Sequence, residues 1–130
     1  MIECKTNWTQ DDYFNAEDYN RIKNNIAYIR NYMNELFINL PVVEFGEDKN
    51  YESMIYAKEI NAIEEALEGI NAGSYMLDIG EMQVFYTNGT TPKWTEFNRI
   101  ESAIELIAET MTAHENSLPK LSMVLGEGGL

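Results

Sequence analysis

The stretch Glu96-Phe97-Asn98-Arg99-Ile100-Glu101 decides the architecture, because its order occurs twice earlier in the chain. Asp18-Tyr19-Asn20-Arg21-Ile22-Lys23 and Glu59-Ile60-Asn61-Ala62-Ile63-Glu64 both read acid, large apolar residue, Asn, any residue, Ile, charge. Each copy continues at helical spacing, through Ile26 and Ile29, Leu67 and Ile70, and Ile104 and Ile107. The pattern predicts three helices built on one template.

Outward from the first copy, Asn15 is placed to cap a helix starting near Ala16, with Asp18 returning the bond as a capping box. Tyr19, Ile22, Ile26, Ile29, Met33, Leu36 and Leu40 then hold an alternating three-and-four spacing until Pro41, so the helix is expected over 16–40. Tyr28 and Tyr32 lie beside this seam, where their rings widen the buried face while the hydroxyls stay wet. A seam this regular also suits a coiled coil between chains, but the chain supplies further helices of its own to fill it.

The second helix is expected over 53–70, from Ser53 along Tyr56, Ile60, Ile63, Leu67 and Ile70, with Asn71-Ala72-Gly73 as its stop. Glu64, Glu65 and Glu68 fall off that seam and read as a solvated face. The third is expected over 95–118, capped by Thr95 and stopped by Pro119. His114 is the one polar residue on its seam and reads as a packing partner, since the chain has no second histidine to share a metal.

The fold class that follows is mainly α: a single domain over 1–130, an antiparallel three-helix bundle. Residues 1–14 lack helical period and read as an arm that lays Trp8, Tyr13 and Phe14 on the body. Gly46-Glu47-Asp48-Lys49-Asn50 reads as a loop without the ligand pattern of a calcium site. Tyr75, Leu77 and Ile79, then Met82, Val84 and Tyr86, alternate as a small β-hairpin would over 74–87, with Gly80 between them. Asn88-Gly89 is a turn signal, and Pro92 and Trp94 lead into the last helix. The tail 119–130 is expected to be extended, with Met123, Val124 and Leu125 docking on this sheet or a neighbour's.

Asn20, Asn61 and Asn98 point well away from the helix seams, so a core role fails for them. Two readings stay open. Either asparagine is merely tolerated in a first turn, or each amide bonds the backbone of the segment entering its helix.

Composition narrows the function classes. In 130 residues, 45% are apolar and 24% charged, ordinary for a folded domain able to bury roughly two-thirds of its unfolded surface. Nine basic against 22 acidic residues give a net charge of −13, which repels phosphate backbones and anionic membranes. Nucleic acid and membrane are therefore excluded as expected partners. The single cysteine, Cys4, forbids an internal disulfide. Neither a leader-type apolar run nor a stretch near the ~20 apolar residues of a membrane span is present, so a cytosolic origin is expected. No nucleophile–base pair, phosphate loop or ligand cluster appears, so neither an enzyme nor a cofactor is expected.

Taken in order, Trp8, then Phe14-Asn15-Ala16-Glu17-Asp18-Tyr19-Asn20-Arg21-Ile22, then Tyr56-Ala57-Lys58-Glu59-Ile60-Asn61-Ala62-Ile63-Glu64, then Asn88-Gly89-Thr90-Thr91-Pro92 leading into Phe97-Asn98-Arg99-Ile100-Glu101, covers most of the chain. This succession resembles small structural proteins of phages and prophages in Gram-positive bacteria. The resemblance implies a non-enzymatic virion component, of the tail or its tip, made in the host cytoplasm, with other virion proteins or further copies of itself as partners. It carries over no catalytic or receptor-binding residue. The structural motif is Asn20, Arg21, Ile22, Asn61, Ile63, Asn98, Arg99, Ile100 and Glu101, and the interaction residues expected are Trp8, Tyr13, Phe14, Trp94, Met123, Val124 and Leu125. The alternative is a soluble acidic helical adaptor or inhibitor of a basic protein.

Overall fold

The computed structural model describes residues 1–37, 40–50, 55–85 and 93–127, of which 117–127 are described by backbone alone. Three helices pack on one another: α1 (Ala16–Met33), α2 (Ala57–Ala72) and α3 (Trp94–Glu127). Their apolar seams meet in one core, where Ile26, Ile29, Met33, Ile70, Ile104 and Ile107 are fully shielded from water. Among the described residues no strand forms.

α1 opens as its sequence dictates. The Asn15 side chain accepts from the Asp18 N–H and the Asp18 carboxylate takes the Asn15 N–H, both at 3.1 Å. The helix stops at Met33, however, and not at Pro41. Asn34 is the cap, and the N–H groups of Leu36 and Phe37 both turn back to the Met33 carbonyl. The early stop frees Phe37 to pack edge-on against Tyr75 and leaves the chain long enough to return along α1. Leu36 and Leu40, expected on the helix seam, lie beyond it.

α2 begins at Ala57, four residues later than the Ser53 expectation, and Ser53 itself lies outside the described residues. The Glu59 carboxylate takes the N–H of Tyr56 and closes the first turn. α3 begins at Trp94, so Thr95 is inside the helix and Lys93 supplies the first carbonyls, to Glu96 and Phe97. It also runs through Pro119 to Glu127. A proline removes one N–H and strains its turn but does not oblige the helix to end. The tail is thus helical as far as Glu127, while residues 128–130 lie outside the description.

The bundle is not antiparallel. Arg21, early in α1, bonds Glu101, early in α3, and Lys49 bonds both Asn20, early in α1, and Glu59, early in α2. Away from that end Phe37 and Tyr75, which follow α1 and α2, meet His114, in the second half of α3. All three helices start at one end, because each connection crosses back over the length of the helix it leaves. The hairpin expected over 74–87 is replaced, within residues 74–85, by one such return crossing. Its alternating apolar residues pack Tyr75, Leu77, Ile79 and Phe85 on the core while Met76, Val84 and Met82 face water. Tyr86 and the Asn88-Gly89 turn lie outside the described residues.

Candidate functional site: the arm-on-helix junctions

A crossing arm with no partner strand has backbone N–H and C=O groups to satisfy, and an asparagine side chain carries one group of each kind. The repeated template supplies that asparagine three times. Trp8 N–H donates to Asn98 Oδ1 at 2.7 Å, and Asn98 Nδ2 donates to the Trp8 carbonyl at 3.0 Å. Lys49 is bracketed by Asn20 in the same way, both bonds at 2.7 Å. Phe85 is bracketed by Asn61, at 2.8 and 2.7 Å. The asparagines therefore bond backbone, but not that of the segment entering their own helix. Asn20 holds the arm entering α2, Asn61 the arm entering α3, and Asn98 the N-terminal arm entering α1.

The chain thus consists of three units, each an arm followed by a helix, and each arm is held by the helix of the unit before it. The first arm closes the ring on α3. Each arm also touches a second helix, as the three-fold arrangement requires. Asn25 of α1 brackets Ile2 at 3.0 and 2.9 Å. A Cβ placed on Gly69 of α2 would stand 3.0 Å from Pro41 in the second arm. Gly80 in the third arm has φ +81°, and a Cβ there would stand 2.8 Å from Arg99 of α3.

The last position of the template is buried in all three copies. Glu101 is wholly inaccessible: its Oε1 accepts from the Lys5 N–H and Arg21 Nε at 3.0 and 2.8 Å, and its Oε2 from Trp8 Nε1 and an Arg21 terminal nitrogen at 2.6 and 2.8 Å. Four donors from two other segments meet one carboxylate, which is how a buried charge is tolerated. The paired acids Glu101 and Asp18 push the Arg21 guanidinium above its usual range. Glu64 repeats the scheme with Arg99 and the Gln83 N–H, so it is a buried junction residue and not part of a solvated face. Glu65 and Glu68 are exposed. At the third junction the equivalent position holds Lys23, buried, donating to the Gly46 carbonyl at 2.8 Å and paired with Asp48 at 2.9 Å. The position equivalent to the arginine holds Ala62, which is exposed.

The expected interaction residues divide accordingly. Trp8 is taken up by its own chain, between Phe14 and Phe97, with Lys5 Nζ 4.3 Å above its ring. Phe14 stacks on Phe97 with centroids 4.2 Å apart. Tyr13, expected as an anchor, is 89% exposed, and Trp94 is partly exposed. Ile22, Ile63 and Ile100 are core residues. The side chains of Met123, Val124 and Leu125 lie outside the described residues. His114 packs as expected, its Nδ1 2.9 Å from the Tyr75 hydroxyl.

Burial, then the nearby Glu101 and Glu105 carboxylates, push the Cys4 thiol up to about 11. The half-buried thiol is thereby kept from the thiolate form that reacts or binds metal. Among the described residues no group of three acids, cysteines or histidines is placed to hold a metal, and no helix is long and apolar enough to cross a membrane.

The burial of Glu64 and Glu101 has a signal in the sequence. Ile60, Glu64, Leu67 and Asn71, like Phe97, Glu101, Ile104 and Ala108, keep the four-three-four spacing, so each glutamate is flanked along the helix by core residues. No family model matches the chain, and no curated protein or solved structure was found to match it.

Proposed function

We propose that the protein is a non-enzymatic structural component of a phage virion, of the tail or its tip, that works by joining other virion proteins or further copies of itself. The reading starts from the sequence resemblance. The observation that carries it beyond resemblance is the junction itself: a helix start that grips the backbone of a separate segment through one asparagine and one buried charge. The asparagine reads only backbone, so the same joint suits a segment from a neighbouring chain. Inducing particles from a host that carries the gene and fractionating the lysate tests this. The protein should sediment with particles or tails and remain with them through a salt wash. Recovery only as a free monomer that binds a basic host protein, and releases it in salt, would replace this reading with that of an acidic adaptor.

A further inference from the structure

The second and third arms follow directly on the helices that hold them, with Lys49 and Phe85 lying 29 and 24 residues from their asparagines. Trp8 and Asn98 are 90 residues apart, so no short stretch of chain ties the first arm to α3. The first arm is tethered instead to α1, across residues 9–13, between the aromatic anchors Trp8 and Phe14. Thr9, Gln10, Asp11 and Tyr13 are exposed in this link. It is folded as one turn: the Asp12 N–H donates to the Thr9 carbonyl at 3.0 Å, and the Thr9 N–H to the Asp12 carboxylate at 2.8 Å. With that bond, and φ negative at both Gln10 and Asp11, the turn is type I. Lys5 Nζ, 3.3 Å from Asp12, adds a partly exposed ion pair of little strength.

We infer that this link is a hinge, and that the first arm of one copy seats on α3 of a second copy, bringing Lys5 and Trp8 to its Asn98 and Glu101. In the ring each arm is held by the helix of the unit before it, and a second copy's first arm keeps that rule. Exchange changes no bond at the junction. Asn98 still brackets the Trp8 backbone, Glu101 still takes the Lys5 N–H and the indole N–H, and Arg21 stays on the Glu101 of its own chain. Only the Thr9–Asp12 turn opens, and no buried side chain belongs to it. The two hinges of an exchanged pair run past each other, which gives Tyr13, 89% exposed in the single chain, an apolar neighbour. A tethered arm meets its own site at an effective concentration of about millimolar, so dilute chains close on themselves and concentrated ones exchange. Salt favours the pair, because two copies at net charge −13 repel.

Arm exchange rests on the assembly reading for its role, as the joint between copies, but it is read in solution without particles. An exchanged dimer that never joins a particle would end the virion reading and keep the exchange. Two hinge variants of the full chain, both at exposed positions, should act in opposite directions. Asp11→Pro breaks the turn, because proline at its third position drives Gln10 out of the α region. It should lower the concentration needed for dimers about tenfold per hinge, the worth of one net hydrogen bond. Gln10→Pro suits the second position of the same turn and should keep the chain monomeric. Size exclusion with light scattering reads the mass, for these variants and for wild type refolded at about millimolar concentration, where dimers should also form. Equal amounts of isotope-labelled and unlabelled chain, unfolded and refolded together, then locate the arm. In the dimer, filtered NOE spectra should show Trp8–Phe97 contacts between chains and Phe14–Phe97 contacts within a chain. Wild type that stays monomeric at that concentration, Gln10→Pro that dimerises as readily as Asp11→Pro, or a dimer whose Trp8–Phe97 contact stays within one chain overturns the inference.

Discussion

Two of the three junctions are built alike and the third is built in reverse. Where α1 meets α3 and where α3 meets α2, an arginine reaches across to a buried glutamate that also holds an arm N–H. Where α2 meets α1, the buried group is Lys23, it holds an arm carbonyl, and Ala62 offers nothing across the interface. Reversing the sign of the buried group reverses which backbone group it satisfies. The fold therefore requires a charge at this position that matches the arm, and the interhelical ion pair is an addition to it. The first two junctions tie helix to helix and arm to helix at one carboxylate; the third ties only arm to helix.

The comparison predicts unequal costs. Glu101→Ala should be the most damaging change, about 3–5 kcal/mol in urea unfolding, because it strands a largely buried guanidinium and the Trp8 indole N–H together. A loss below about 1 kcal/mol would show that the carboxylate only fills space. Asn98→Ala removes both backbone bonds of Trp8 and should cost about 2 kcal/mol; Asn98→Asp keeps the acceptor alone, and stability equal to wild type would sink the clamp. Lys23→Met keeps the stem and loses the charge, and should cost only about 1 kcal/mol. If it proves as costly as Glu101→Ala, the two kinds of junction are energetically one kind. Lys23→Glu combined with Ala62→Arg converts the third junction to the pattern of the others. The double-mutant cycle should show a favourable coupling of about 1 kcal/mol, and a coupling near zero would mean that the pseudo-symmetry of the backbone does not extend to its side chains. Smallest is Met76→Gly: Met76 holds φ +52°, so glycine should raise stability by about 0.5 kcal/mol in a thermal melt.

Much of the architecture is legible in the order of residues. The template marks the three helix starts, and the Asn15 capping box fixes the first of them to the residue. What stays hidden depends on partners far along the chain. The spacing of Glu64 with Ile60 and Leu67 signals its burial, but not its partner Arg99, 35 residues away. The direction of the bundle is hidden for a related reason, since helical periodicity is identical for helices running up or down. The decisive residues are the arm segments themselves, whose irregular backbones carry no period and are held by side chains with no ladder. The end of α1 escapes the pattern because Leu36 and Leu40 keep the seam spacing while the chain, needing to return along the helix, has already turned.

The closing of the ring by the first arm has a consequence for synthesis. Lys5 and Trp8 leave the ribosome well before the groups that hold them, since Glu101 and Asn98 follow 96 and 90 residues later. The second and third arms meet the preceding helices that hold them at separations of 29 and 24 residues, and can settle while translation continues. The nascent chain must therefore carry an unplaced aromatic arm until α3 emerges, and quenching or blue-shift of the Trp8 emission marks the moment at which the domain becomes complete.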